Sequence, residues 1–171
     1  MIHFDSHSDI FDEFEGHKWS HACTQRRALE HENLKDEGLS LIGIRAWEDL
    51  EVEFFKKHKD IQVITAAQIY KKGINYVKAK LNERYRDYDV VYLTLDIDVL
   101  DPAFAPGTGT PESGGLSTRE MIELIKFTIN KLPIKAMDIV EVSPPLDSSD
   151  ITSWAALKII YEVFGQLYLK K

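Results

Sequence analysis

Apolar residues fall in short unbroken runs that alternate with longer stretches of helical spacing. Residues 40–44, 61–64, 90–95 and 134–142 have strand length, and residues 1–4 form a further short run. Between them the spacing predicts helices over about 21–32, 48–57, 66–82, 119–131 and 151–168. Ser117 with Glu120 three residues on is a capping-box pattern, followed by a one-face stripe of Ile122, Ile125, Ile129 and Leu132. Asp150 stands where it caps the last helix, whose Trp154, Leu157, Tyr161, Phe164 and Tyr168 recur at helical spacing and predict core packing.

Strands alternating with helices predict an α/β fold, a doubly wound parallel sheet with helices on both faces. Such sheets bind ligands beyond the carboxyl ends of their strands. Residues 102–115, rich in Gly, Pro and Thr, make the one long loop, and no Gly-Lys-Ser/Thr follows its glycines, which excludes a phosphate-binding P-loop. No repeat, low-complexity tract or linker interrupts the chain, and its 171 residues suit a single domain, residues 1–171.

Composition narrows the class. An apolar fraction of 44% with 11% aromatics excludes disorder. The single cysteine, Cys23, excludes a disulfide framework and points to a reducing compartment, the cytoplasm. No apolar run approaches the roughly 20 residues that span a bilayer, so no membrane partner is expected. A net charge of −7 without a basic cluster argues against nucleic acid.

The negative charge is concentrated. Residues 1–17 carry five acids and residues 87–112 carry six, with no Lys or Arg in either window; together they hold −11, leaving the rest of the chain at +4. Two solvated loops would account for the charge alone. The internal spacing adds chemistry. In His3-Phe4-Asp5-Ser6-His7-Ser8-Asp9 the side chains of an extended chain alternate, so Asp5, His7 and Asp9 point to one side. Asp96 and Asp98 follow the run 90–95, at the carboxyl end of a strand. Leu100 and Gly107 occupy positions where an EF-hand needs oxygen ligands, which excludes that loop. Four carboxylates with one imidazole suit Mn²⁺ better than structural zinc. Bridging carboxylates could hold two ions about 3.5–4 Å apart and turn a shared water into a nucleophile. Glu141 interrupts an apolar, strand-like run and, if buried, needs a cationic partner, from a substrate or from the chain itself. His21 reads either as a proton shuttle or as a structural or exposed histidine.

Taken together, three stretches resemble the ureohydrolase family of arginase, agmatinase and formiminoglutamase: residues 3–9 (a D-A-H-x-D motif with Ser6 for Ala), residues 95–115 (LDIDVLDPAFAPGTGTPESGG) and residues 136–145 (AMDIVEVSPP). The resemblance implies an arginase-like fold with a two-manganese centre that hydrolyses a guanidino group to urea and an amine. By motif, Asp5 and Asp96 resemble the carboxylates bridging both ions, His7 and Asp98 the other ligands of one ion, and Asp9 a ligand of the second. His21 falls at the proton shuttle, Glu141 where the guanidinium is held, and Thr110 in the loop lining that pocket. The implied reaction is attack of a metal-bound hydroxide on the guanidinium carbon, steadied by Asp9, with His21 protonating the leaving amine.

Two departures shape the expectation. Phe11 replaces an Asn with which arginases hold the amino-acid end of arginine, so agmatine, cleaved to putrescine and urea, is favoured as substrate. The family's upstream G-G-D-H motif, whose His completes one metal site, is absent; His3, His17, His31 and His58 stand in no equivalent motif. The chain is therefore expected to correspond to the carboxyl-terminal part of a ureohydrolase, with one ion site incomplete and a small cationic guanidino substrate. An exposed sheet edge predicts a homo-oligomer. The alternative reading is a catalytically silent homologue, a metal-binding or interaction domain.

Overall fold

Buried backbone N–H and C=O groups must pair, and the apolar runs do so side by side. In the computed structural model, which describes residues 1–170, they form one parallel sheet: β1 (Ile2–Phe4), β2 (Ser40–Ile44), β3 (Gln62–Thr65), β4 (Val91–Asp96) and β5 (Ile134–Val140), in the order β3-β2-β1-β4-β5. The connecting helices are α1 (Thr24–Ala28), α2 (Asp49–Lys57), α3 (Ala66–Lys72), α4 (Ile74–Tyr85), α5 (Thr118–Lys131) and α6 (Ile151–Leu169).

Alternate side chains of the strands enter two cores. Ile2, Phe4, Ile42, Ile64, Leu93 and Leu95 pack against α3 to α6, while Leu41 and Val63 face Leu29 and the Phe54–Phe55 pair of α2. The sheet is thus doubly wound with helices on both faces, as expected. Over β4 and β5 the second face carries Tyr92, Thr94, Asp138 and Val140, and these line a cavity of about 640 Å³ rather than a helix.

Several local expectations are corrected. The helix expected over 21–32 is a short 3-10 turn, His21–Cys23, followed by the five residues of α1. The helix expected over 66–82 breaks at Gly73, whose φ of +76° is open to glycine, and resumes as α4. The last strand stops at Val140; Glu141 is exposed with φ +61°, so it is not a buried acid in a strand. The capping box of α5 forms as expected, with Ser117 and Glu120 exchanging side chain-to-backbone hydrogen bonds. Asp150 does not cap α6: it is left-handed and its side chain makes no cap bond. Asp147 does so instead, accepting from Thr152 N at 2.8 Å and Ser153 N at 3.1 Å. Nor does the aromatic stripe of α6 enter the core. Trp154 (66% exposed), Tyr161, Phe164 (62%) and Tyr168 face outward, and the small or branched Thr152, Ala155, Ala156, Ile159 and Val163 pack inward. Close packing of α6 against α5 and the sheet leaves no room for rings on the inner face.

Candidate functional site

β1 and β4 are neighbours whose chains leave in opposite directions, β1 toward β2 and β4 toward β5. Their outgoing loops splay apart and open a crevice at the carboxyl ends of the strands. Both acid-rich strings end there. Asp5 extends the ladder one step past β1, its N–H donating to Ile42 O at 3.0 Å. Gly43 beside it has φ +102°, and a Cβ there would lie 2.6 Å from Val99 Cγ2 and 2.9 Å from Asp5 O, so only glycine lets β2 pass so close to Asp5.

Backbone donors fix the carboxylates. His7 N–H donates to Asp5 Oδ1 at 2.5 Å, Ser6 N–H to Asp98 Oδ1 at 3.0 Å, and Asp98 N–H to Asp96 Oδ1 at 2.9 Å. The Thr24 hydroxyl, from α1, donates to Asp9 Oδ2 at 2.9 Å. Asp9 itself is left-handed at φ +54°, and its carbonyl accepts from Gln25 and Arg26 N–H at the start of α1. His7 Nδ1 lies 2.9 Å from Asp98 Oδ2 and 3.4 Å from Asp5 Oδ1. The nearby Arg45 guanidinium spends its donors on main-chain carbonyls, including those of Asp98 and Glu112 at 2.7 Å. Among the described residues the side-chain ion pairs of Asp5, Asp9 and Asp98 are with His3 and His7 alone, none with Lys or Arg.

Crowding four carboxylates without a strong cation sets their proton affinities. Burial, then the charges of Asp5 and Asp98, push Asp96 up to about 10. Burial, then Asp5, push Asp9 up to about 7. Burial disfavours charge on His7, yet hydrogen bonds to Asp5 and Asp98 prevail and raise it to about 10. Burial likewise opposes charge on Asp5, but His3 and His7 hold its carboxyl well below the usual range. Such a cluster must take up protons or a multivalent cation.

The donor atoms fit a divalent ion. Two sets place one ligand atom per residue within 4.8 Å of each other: Asp5, His7 and Asp98, and His3, Asp5 and Asp9. Oxygen-rich donors with imidazole match a hard or borderline divalent metal. Asp96 lines the same cavity but joins neither set; its Oδ1 accepts from Asp98 N–H. The second set includes His3, to which the sequence motifs assign no ligand role: it is 2% exposed and its Nε2 lies 2.8 Å from Asp5 Oδ2 and 4.0 Å from Asp9 Oδ2. Its only legible signal is alternation with Asp5, His7 and Asp9 along the sequence; in the structure the chain bends at Ser6–His7 and turns left-handed at Asp9, so an extended run does not bring them together.

The remaining candidates converge on the same space. His21, Thr110 and Glu141 line the cavity with His7, Asp9, Asp96 and Asp98, while Asp5 lies buried beneath its floor. The ring of His21 stands 5.6 Å from Phe14, which in turn is 5.7 Å from Phe11 on the wall. His21 Nδ1 is 3.3 Å from the Ser20 hydroxyl, leaving Nε2 free.

Comparison with known proteins bears out the resemblance read from the sequence. The agmatinase of Proteus mirabilis is 40% identical over 171 residues, 99% of this chain and 51% of the relative. A guanidinobutyrase of Pseudomonas aeruginosa is 37% identical over 164 residues, 95% of this chain and 51% of its own. Among solved structures, the proclavaminate amidino hydrolase of Streptomyces clavuligerus superposes with a TM-score of 0.86 at 34% identity, covering 96% of this chain and 54% of that one. The chain spans about half the length of the curated relatives it matches. A model of the arginase family matches residues 1–165, from β1 into the last turns of α6. With sequence, fold and the match agreeing along that whole length, the chain belongs to the arginase family.

Proposed function

We propose that this chain, as one domain, supplies the catalytic cavity of a Mn²⁺-dependent hydrolase acting on a small cationic guanidino compound, with agmatine cleaved to putrescine and urea. One observation carries the reading: Asp9, Asp96 and Asp98, packed with the buried Asp5 and like it without a Lys or Arg ion pair among the described residues, meet Glu141 and His21 in a single cavity at the sheet's switch point. Asp5, His7, Asp9, Asp96 and Asp98 are the residues that would hold the ions. When bound, divalent ions bring the pKa of a water into the neutral range and make it nucleophilic.

The chain's own groups do the rest. Glu141 accepts charge-assisted hydrogen bonds from the guanidinium and turns its carbon toward the carboxylates, with Thr110 beside it in the 102–115 loop. Asp9 accepts a hydrogen bond from the attacking water and fixes its lone pair on that carbon. As the C–N bond breaks, His21 delivers a proton from Nε2 to the departing amine nitrogen. The phenyl ring of Phe11 offers no hydrogen bond to a substrate carboxylate, which favours a decarboxylated guanidine. The same reading places the protein in the cytoplasm, in keeping with its free Cys23, and as a homo-oligomer. No helix among the described residues is long and apolar enough to cross a membrane.

Urea released from agmatine and from arginine at saturating Mn²⁺, beside Glu141→Gln, tests the reading. Agmatine is expected to turn over faster than arginine, and Glu141→Gln to fall by at least about 100-fold, the scale of a lost catalytic group. Wild-type release no higher than that of Glu141→Gln would instead establish a silent metal-binding domain.

A further inference from the structure

Among the buried titratable groups around the cavity, His3 stands beside the carboxylates yet plays no part in the chemistry described so far. Its side chain leaves β1 on the same side as Asp5, and it is almost wholly enclosed. Nε2 of His3 and Oδ2 of Asp5 are both buried, and neither has an aligned hydrogen-bond partner although they lie only 2.8 Å apart. An imidazolium held only for its charge would spend its Nε2–H on a linear bond to that oxygen.

We propose that His3 is a metal ligand, its Nε2 joining the carboxylates of Asp5 and Asp9 to hold a second divalent ion beside the one held by Asp5, His7 and Asp98. The inference rests on the metal-dependent reading above and deepens it.

The spacing of the donor atoms agrees. Ligands about 2.0–2.2 Å from one ion stand about 3 Å apart when adjacent and about 4.2 Å apart when opposite in an octahedral shell. His3 Nε2 is 2.8 Å from Asp5 Oδ2 and 4.0 Å from Asp9 Oδ2, which spans that range.

Outer contacts orient both partners as they do in metal sites. The Gln25 amide lies 3.1 Å from His3 Nδ1 and the Thr24 hydroxyl 2.9 Å from Asp9 Oδ2, both from the start of α1. A half-turn of that amide places its oxygen on Nδ1–H and leaves the Nε2 lone pair for an ion. His3 thus supplies from β1 itself a second imidazole beside that of His7.

Mn²⁺ titration of the full chain, followed by the paramagnetic resonance of free ion, tests this together with spin-echo detection of imidazole nitrogen on bound Mn²⁺. Wild type is expected to bind two ions. His3→Asn should keep one and weaken the other by at least about tenfold, the lower range for disturbed ligand shells. In His7→Asn the nitrogen signal should persist, because His3 remains, and it should vanish in the double variant. Unchanged second-site affinity in His3→Asn, or no nitrogen signal in loaded His7→Asn, would overturn the proposal and leave His3 as an ion-pair partner of Asp5. If His3→Asn does not fold by circular dichroism, the signal of His7→Asn decides alone. A wild-type chain that binds one ion, lost in Asp98→Ala and indifferent to His3, defeats this inference but not the metal-dependent reading; a chain that binds none defeats both.

Discussion

On the metal-dependent reading proposed above, Asp96 is costly to the fold without ions and needed once they bind. Burial and its carboxylate neighbours push it up to about 10, so at pH 8 its ionised form is disfavoured. Asn keeps the shape and the oxygen that accepts from Asp98 N–H. Asp96→Asn should therefore raise the melting temperature in a chelator, by roughly 2–4 °C per kcal/mol relieved in a chain of this size, and lose the added stabilisation that Mn²⁺ confers on wild type. Paired melts with and without ion check both halves. The pH trend follows from the same groups. Asp9 (about 7), Asp96 and His7 (about 10) are all raised on folding, so the stability they contribute is full below their unfolded values and is lost as pH climbs through the folded ones. Asp5 is depressed, so its contribution is present above about 3.9 and lost as pH falls below that. The chelated chain should melt progressively lower from pH 5.5 to 9. An ion binds the deprotonated set, so its stabilisation should grow over the same interval. A chelated melting curve flat across that interval would contradict the raised carboxylates.

The start of α6 ties the 102–115 loop to the scaffold. Thr152 is fully buried; its hydroxyl accepts from Gly107 N–H at 2.7 Å and donates to Asp147 Oδ1 at 3.0 Å. The space beside Gly107 is filled by Asp147, since a Cβ there would meet Asp147 Cβ at 2.5 Å. Thr152→Val removes the hydroxyl at nearly constant volume and leaves a buried N–H unpaired, which costs about 1–3 kcal/mol. Denaturant unfolding should show that loss, with a raised KM for the proposed guanidino substrate because Thr110 lies three residues along the same loop. Asp147→Ala should lower the melting temperature where Asp150→Asn, which suits the left-handed backbone as well, leaves it unchanged, reversing what position in the sequence suggests for the cap.

At the scale of the whole molecule, two surfaces remain open. The free edge of β5 presents unpaired backbone groups beside the exposed Lys135, Ala136 and Val140. Along α6 the rings of Trp154, Tyr161, Phe164 and Tyr168 form an exposed apolar face. Open edges and apolar patches of this kind favour pairing with another chain. Sedimentation at micromolar concentration should show a species larger than a monomer, and Phe164→Lys should shift it toward monomer. A monomeric wild type would remove the homo-oligomer from the reading.

The sequence by itself determined the strands, the parallel α/β class and the two strings of candidate metal donors, because periodicity and motif spacing are local properties of the chain. Asp5, His7, Asp9, Asp96 and Asp98 could be read as donors from residue type and register alone. Only the tertiary structure decided which face of α6 is buried, since four aromatics at helical spacing carry no mark of which side packs against α5. The true cap of α6 was likewise hidden, because Asp147 reaches it through a loop conformation that no spacing encodes. His3 was the hardest to see. Its place beside Asp5 and Asp9 depends on β1 ending at a switch point where its outgoing loop folds back over the strand, so that residues alternate along the chain yet converge in space.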